Sequence, residues 1–180
     1  MVSKFIKNRW WIKKIIKSGS QKRNVTLIGY SQSTPEIVEK LLETDRCNLN
    51  LVVDSVERID AATKTQVTKG NARVLEARMT DTPMLTSASV TEADTVIISN
   101  FSLDQPDNSD LEIMRSILMI NQQLRSSEGP HIIAELNASD SRDMMAGLFD
   151  LDFVVSDKIG SKIFAQYVEN PHLIKVIDSL

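Results

Sequence analysis

The sequence predicts an α/β fold, a doubly wound parallel sheet of about six strands with helices after the last one. Three observations carry this reading. Short apolar runs rich in valine and isoleucine recur along the chain, as strands covered on both faces require. The first four begin at residues 25, 49, 72 and 95. That interval leaves room for a strand, a crossover and a return in the same direction, which parallel pairing needs. Finally, the first run stops at Gly29 and Pro35 opens an amphipathic stretch, giving the order strand, turn, helix.

Residues 1–23 precede this alternation and read as a basic amphipathic arm or linker. They hold eight of the 21 basic residues and no acid, together with both tryptophans, Trp10 and Trp11. Phe5, Ile6, Ile12, Ile15 and Ile16 alternate with the lysines. Basic side chains with aromatic anchors suit a segment lying at a membrane surface, or a helix whose apolar stripe packs on the domain or a partner. No uninterrupted apolar core of a signal peptide is present. Thirteen basic residues against 24 acidic ones leave residues 24–180 at −11, a charge that would repel phosphate, so nucleic acid is not expected as a partner.

The body, residues 24–156, follows a Ser18-Gly19-Ser20 break. Strand one is expected over Val25–Ile28. At the positions of a G-x-G-x-x-G fingerprint stand Gly29, Ser31 and Thr34. The second glycine normally lets the backbone approach a pyrophosphate, so serine there weakens the case for NAD. Thr34 is expected to cap a helix with Pro35 at its first position and Ile37, Val38, Leu41 and Leu42 on its buried face. Strands follow at Leu49–Val53, Ala72–Leu75 and Thr95–Ser99. A helix is expected from about Asp110 to Leu124, with Leu111, Met114, Ile117, Leu118 and Leu124 as its apolar stripe. Residues 127–130, Ser-Glu-Gly-Pro, end the connection after it. Strand five is Ile132–Glu135, a short helix runs from Asp140 to Leu148 with Ser139 or Asp140 at its start, and strand six is Phe153–Val155. Residues 157–180 are expected to form crossover or dimerisation helices. There Ser156-Asp157 caps a stripe of Ile159, Ile163, Phe164, Tyr167 and Val168. Beyond Asn170-Pro171 the stripe continues through Leu173, Ile174, Val176 and Ile177.

Composition is that of a soluble globular domain: 42% hydrophobic and 25% charged in 180 residues. No apolar run approaches the ~20 residues that span a bilayer. The lone cysteine, Cys47, cannot pair internally and fits a reducing cytoplasm.

Ligands of such sheets lie beyond the carboxyl ends of the strands, at the switch point. Gly29 with Ser31, Asp54, Asp81, Asn100 and Glu135 occupy those ends. Asp54, 25 residues after Gly29, stands where an acid accepts hydrogen bonds from an adenosine ribose; the alternative is a solvated loop aspartate. Asn100 ends strand four and borders the same crevice. Asp104, Asp107 and Asp110 with Asp81 and Glu135 offer hard oxygens that suit Ca²⁺, although the EF-hand spacing is absent and acids also favour turns and helix starts. His131 and His172 lie elements apart without cysteine neighbours, which disfavours zinc. Cys47, in the polar turn Asp45-Arg46-Cys47-Asn48, has no base beside it to make it a nucleophile.

Three segments, Asn24-Val-Thr-Leu-Ile-Gly29, Pro130-His-Ile-Ile-Ala-Glu-Leu136 and Val154-Val-Ser-Asp-Lys-Ile-Gly-Ser-Lys-Ile-Phe-Ala-Gln166, resemble the RCK (TrkA-N) family, regulators of potassium conductance. The last segment is most similar to the Castor/Pollux-type channel branch. The resemblance covers roughly residues 24–178. It implies a Rossmann-like lobe at the cytoplasmic face that binds a nucleotide or a cation and passes binding energy to a pore. It also implies last helices that cross to a neighbouring lobe, forming dimers of a gating ring. By position it assigns Gly29, Ser31 and Asp54 to the nucleotide turn and ribose acid, and Asp81 and Glu135 to ions. The chain ends at Leu180 without a second such lobe or pore helices, so it is expected to be either an excised fragment or the regulator of a separate pore subunit.

Two other readings stand beside this one. A NAD(P)-dependent oxidoreductase would need an intact glycine turn and a Tyr-x-x-x-Lys pair, yet neither Tyr30 nor Tyr167 is followed by lysine at that spacing. A structural oligomerisation domain with a dead site would need neither. The chain is not expected to be an enzyme.

Overall fold

The computed structural model describes residues 22–43, 46–77, 90–99, 106–124, 129–146 and 151–155. Six strands, β1 (Arg23–Ile28), β2 (Cys47–Val53), β3 (Ala72–Glu76), β4 (Thr95–Ile98), β5 (His131–Leu136) and β6 (Asp152–Val155), form one sheet. Every pairing is parallel, in the order β3-β2-β1-β4-β5-β6. The chain therefore winds outward from β1 to β3, returns to β4 beside β1, and winds outward again to β6. This is the doubly wound, Rossmann-like sheet that the spacing implied, with its switch point between β1 and β4.

Each face of the sheet has its own core. Helices α1 (Thr34–Glu43) and α2 (Ala61–Lys69) follow β1 and β2. Val38 of α1 and Val67 of α2 pack with Val25, Leu27, Leu49, Leu51 and Val53. Helices α3 (Pro106–Gln123) and α4 (Ser139–Ala146) follow β4 and β5. Ile113, Ile117 and Ile120 of α3 and Met145 of α4 pack with Ile28, Val52, Val96, Ile98, Ala134 and Leu136. Alternate residues of β1 thus face opposite cores, and Leu27 and Ile28 are both fully buried. Covering both faces explains why the strands read as continuous apolar runs.

Three expectations need correction. Helix α3 begins four residues before Asp110. Its buried face is Ile113, Ile117 and Ile120, whereas Leu111 and Leu118 are 45% and 44% exposed. Cys47 lies not in a turn but at the start of β2, buried, with its thiol donating to the Leu41 carbonyl at 2.9 Å. Helix α2 has no counterpart among the expected helices. Asp60 caps it, accepting from the Ala62 and Thr63 N–H groups. The arm over residues 1–21 and the helices expected over 157–180 lie outside the described residues. Among the described residues no helix is long and apolar enough to cross a membrane.

Candidate functional site

The turn after β1 is set by Gly29, whose φ of 104° is open to glycine and costly for any residue with a Cβ. Its N–H still closes the ladder on the Val52 carbonyl at 2.9 Å, and the positive φ then turns the chain out of the sheet. Beyond it the turn closes on itself. The Ser31 N–H donates to Thr34 Oγ1 at 2.8 Å, and the Thr34 N–H donates to the Ser31 carbonyl at 3.2 Å. Thr34 is fully buried. Its hydroxyl therefore serves the turn, not the helix N–H groups, which corrects its expected role as N-cap. The carbonyl of Ser33 takes the first helical bond, from Ile37, so Ser33 holds the cap position.

Glu135, at the carboxyl end of β5, reaches across β4 to this turn. Ser99, just past β4 and fully buried, donates to Glu135 Oε2 at 2.6 Å. Ser31 Oγ lies 2.8 Å from Ser99 Oγ and 3.3 Å from Glu135 Oε2. Ser33 Oγ is 2.8 Å from Ser31 Oγ and 3.5 Å from Glu135 Oε1. A hydroxyl has one proton, so the short distances order the donors into a chain, Ser33 to Ser31 to Ser99 to Glu135. Such chains polarise one another and strengthen the terminal bond to the carboxylate.

Asp54 stands one residue past β2, exposed, and pairs with Arg58 at 2.6 Å. Its other oxygen accepts the Ser55 N–H at 2.9 Å. It is the acid nearest the carboxyl end of β2, where a ribose acceptor belongs. Between this loop and the Gly29 turn lies a second polar group. The Tyr30 phenol donates to Asp60 Oδ2 and lies 3.3 Å from Thr63 Oγ1, while Thr63 Oγ1 donates to Asp60 Oδ2 at 2.6 Å. The Asp60 carboxyl is held well below the usual carboxylate range by the Thr63 hydroxyl, then by the Tyr30 phenol and the N–H groups of α2. Tyr30 is pushed up by burial and by its bond to Asp60. The phenol so ties the turn after β1 to the loop that carries Asp54.

Of the remaining expected site residues, Asn100 and Asp81 lie outside the described residues, as does Asp104. Asp107 and Asp110 belong to α3, not to an acidic loop. Asp110 is buried and accepts from the Asn137 and Ala138 N–H groups at 2.9 and 3.1 Å, fastening the start of α4. Among the described residues no three His, Cys, Asp or Glu side chains come together as metal ligands would. His131 Nε2 is 2.7 Å from Asp152, a bond between β5 and β6.

Ser33, Ser99, Arg58, Tyr30 and Asp60 carry the geometry here and were not expected from sequence. Asp60 ahead of Ala61-Ala62 is a legible cap signal. Ser99, a serine ending an apolar strand beside β1, is a polar residue that a buried strand end has to satisfy.

No family model and no curated protein matches the sequence. Solved structures do share its fold. The TrkA-N domain of the inner membrane protein ybaL from Escherichia coli aligns with a TM-score of 0.62 at 16% identity, covering 81% of this chain and 96% of that one. The NAD(P)-binding domain of an exopolyphosphatase-related protein from Archaeoglobus fulgidus aligns at 0.60 and 14% identity, covering 82% and 98%. GsuK bound to ADP aligns at 0.55 and 17% identity over 77% of this chain and 32% of GsuK, so the chain spans about a third of that protein. The GsuK channel is also known bound to NAD. The chain has the fold of a TrkA-N domain.

Proposed function

We propose that this chain is a ligand-sensing regulatory domain of the RCK (TrkA-N) type, acting on a cation channel or transporter. Its ligand in this reading is an adenine nucleoside or nucleotide. One observation carries the reading: at the switch point of a sheet shared with ADP- and NAD-bound GsuK, a left-handed Gly29 lies next to an exposed acid, Asp54, at the end of the neighbouring strand. Asp54 would accept from the ribose hydroxyls, the turn over Ser31–Thr34 would face the phosphate side, and Asn100 would border the base crevice. Asp81 and Glu135 are the acids through which Ca²⁺ would act.

Partners follow from the same reading. Residues 157–180 would join a second copy, in a dimer or a larger ring, and the body would sit at the cytoplasmic face beside a membrane pore. The Castor/Pollux-type branch rests on residues 154–166, whose sequence is its support.

The test is thermal stability during titration with adenosine, AMP, ADP, NAD and Ca²⁺. A ligand that binds the folded state stabilises it by roughly 2.7 kcal/mol at a hundredfold excess over Kd. That corresponds to about 5–10 °C for a domain of this size. Asp54→Ala should shrink the nucleoside shift, and Asp81→Ala should remove a Ca²⁺ shift alone. If no ligand moves the melting temperature, the structural oligomerisation reading replaces this one.

A further inference from the structure

We propose that Glu135 is a built-in substitute for a ligand phosphate, so that this site takes adenine nucleosides in preference to nucleotides bearing a pyrophosphate. The proposal rests on the nucleotide reading above and specifies its ligand class. Two independent features support it.

The first is the position of the carboxylate. A phosphate bound at such a switch point sits over the turn that joins the first strand to the first helix. Here that turn presents Ser31 and Ser33, whose hydroxyl chain runs through Ser99 to Glu135 and whose Oγ atoms lie 3.3 and 3.5 Å from Glu135 Oε2 and Oε1. Ser99, fully buried, completes the cradle at 2.6 Å. A carboxylate and a phosphate compete for the same hydroxyl donors, and each carries negative charge. An incoming pyrophosphate would meet a fixed anion in the seat that it needs.

The second feature is the state of the backbone donors. Anion binding at a helix start relies on N–H groups with no intrahelical partner. In this turn the Ser31 N–H is taken by Thr34 Oγ1 and the Thr34 N–H by the Ser31 carbonyl. Residue 35 is proline and has no N–H. Positions 31, 34 and 35 therefore offer no free N–H to offset repulsion by Glu135. The ribose side is unaffected, because Asp54 lies on the far side of β1, past the end of β2.

The test measures Kd by calorimetry for adenosine, AMP, ADP and NAD on the full chain and on Glu135→Gln, with Glu135→Ala as a second variant and circular dichroism to confirm folding. In the wild type, affinity should fall from adenosine to AMP to ADP. Glu135→Gln, which keeps the shape and one acceptor oxygen, should tighten ADP and NAD by about tenfold or more. Adenosine should change by less than about twofold, since its phosphate seat is unused. A wild-type ladder that rises with each added phosphate overturns the proposal even if neither variant folds. Equal ADP affinity in wild type and variant, with adenosine bound by both, overturns it and leaves the nucleotide reading standing. ADP binding that appears only with Mg²⁺ would show a metal bridging Glu135 to phosphate and would also overturn it. If neither chain binds any of the four ligands, the nucleotide reading falls and this proposal falls with it.

Discussion

The Tyr30 phenol donates to the Asp60 carboxylate, and the same carboxylate caps α2 through the N–H groups of Ala62 and Thr63. One acid therefore holds the turn after β1 to the loop after β2, across the mouth of the candidate site. The contact spans 30 residues of sequence and joins the two loops on which a nucleoside would rest.

Removing Asp60 tests this contact. Asp60→Ala should cost about 0.5–2 kcal/mol of stability as a lost helix cap. Tyr30→Phe should cost about 0.5–1.5 kcal/mol as a lost hydrogen bond. Because the folded carboxyl titrates below its unfolded value, its contribution is complete above the unfolded pKa of about 4 and is lost as pH falls further. Tyr30, raised in the fold, contributes fully below about pH 10 and loses its contribution as pH climbs through the folded value. Urea denaturation from pH 3 to 7 should show a shallower acid loss for Asp60→Asn than for the wild type; parallel curves would contradict the assignment.

The face of α3 can be checked by a pair of truncations. Ile117→Ala removes a fully buried side chain and should cost about 2–5 kcal/mol. Leu118→Ala, at 44% exposure, should change stability by about 0.5 kcal/mol or less. Equal losses at the two neighbours would mean that the helix is rotated from the orientation described.

Asp110 offers a sharper test of how α4 is held. Its two oxygens take the Asn137 and Ala138 N–H groups, so Asp110→Ala should strand two donors near the protein interior at about 1–3 kcal/mol. Amide exchange should rise first at residues 137–146. Exchange that rises uniformly would show a global effect and no local fastening.

The basic arm makes a prediction independent of the sheet. If residues 1–23 lie at a membrane, the chain should bind anionic vesicles at low salt and release them as salt rises, since exposed charges are screened beyond about 8–10 Å near 0.15 M. Deleting residues 1–20 should abolish binding and leave the melting temperature in place. Unchanged vesicle binding after the deletion would remove the arm from consideration.

Much of this architecture is legible in the sequence because valine- and isoleucine-rich runs at a regular interval admit few arrangements. All six strands lie where that pattern puts them, to within two residues at each end. Helix α2 is not legible in the sequence because Ala-Ala-Thr-Lys-Thr-Gln-Val-Thr-Lys buries only Thr63 and Val67, too little for an apolar period. The face of α3 is ambiguous in the sequence for the opposite reason. Apolar residues at 111, 113, 114, 117, 118, 119 and 120 surround the helix, and tertiary packing chose among them. At the site, Gly29 announces its turn locally. The bond from Ser99 to Glu135 joins the ends of two strands 36 residues apart, and no periodicity encodes it.

The central position of β1 has a consequence for how any ligand would be felt. Its residues pair with β2 on one side and β4 on the other, and they feed the cores on both faces. No partial opening exposes the amides of Leu27 and Ile28 without parting two ladders and two hydrophobic layers. Their exchange with solvent deuterium therefore clocks the opening of the whole domain, while the edge strands β3 and β6 report local breathing. A ligand seated beyond Gly29 would slow the β1 clock by its full binding free energy. The edges would lag behind, and that difference is a record of which parts of the sheet hear the ligand.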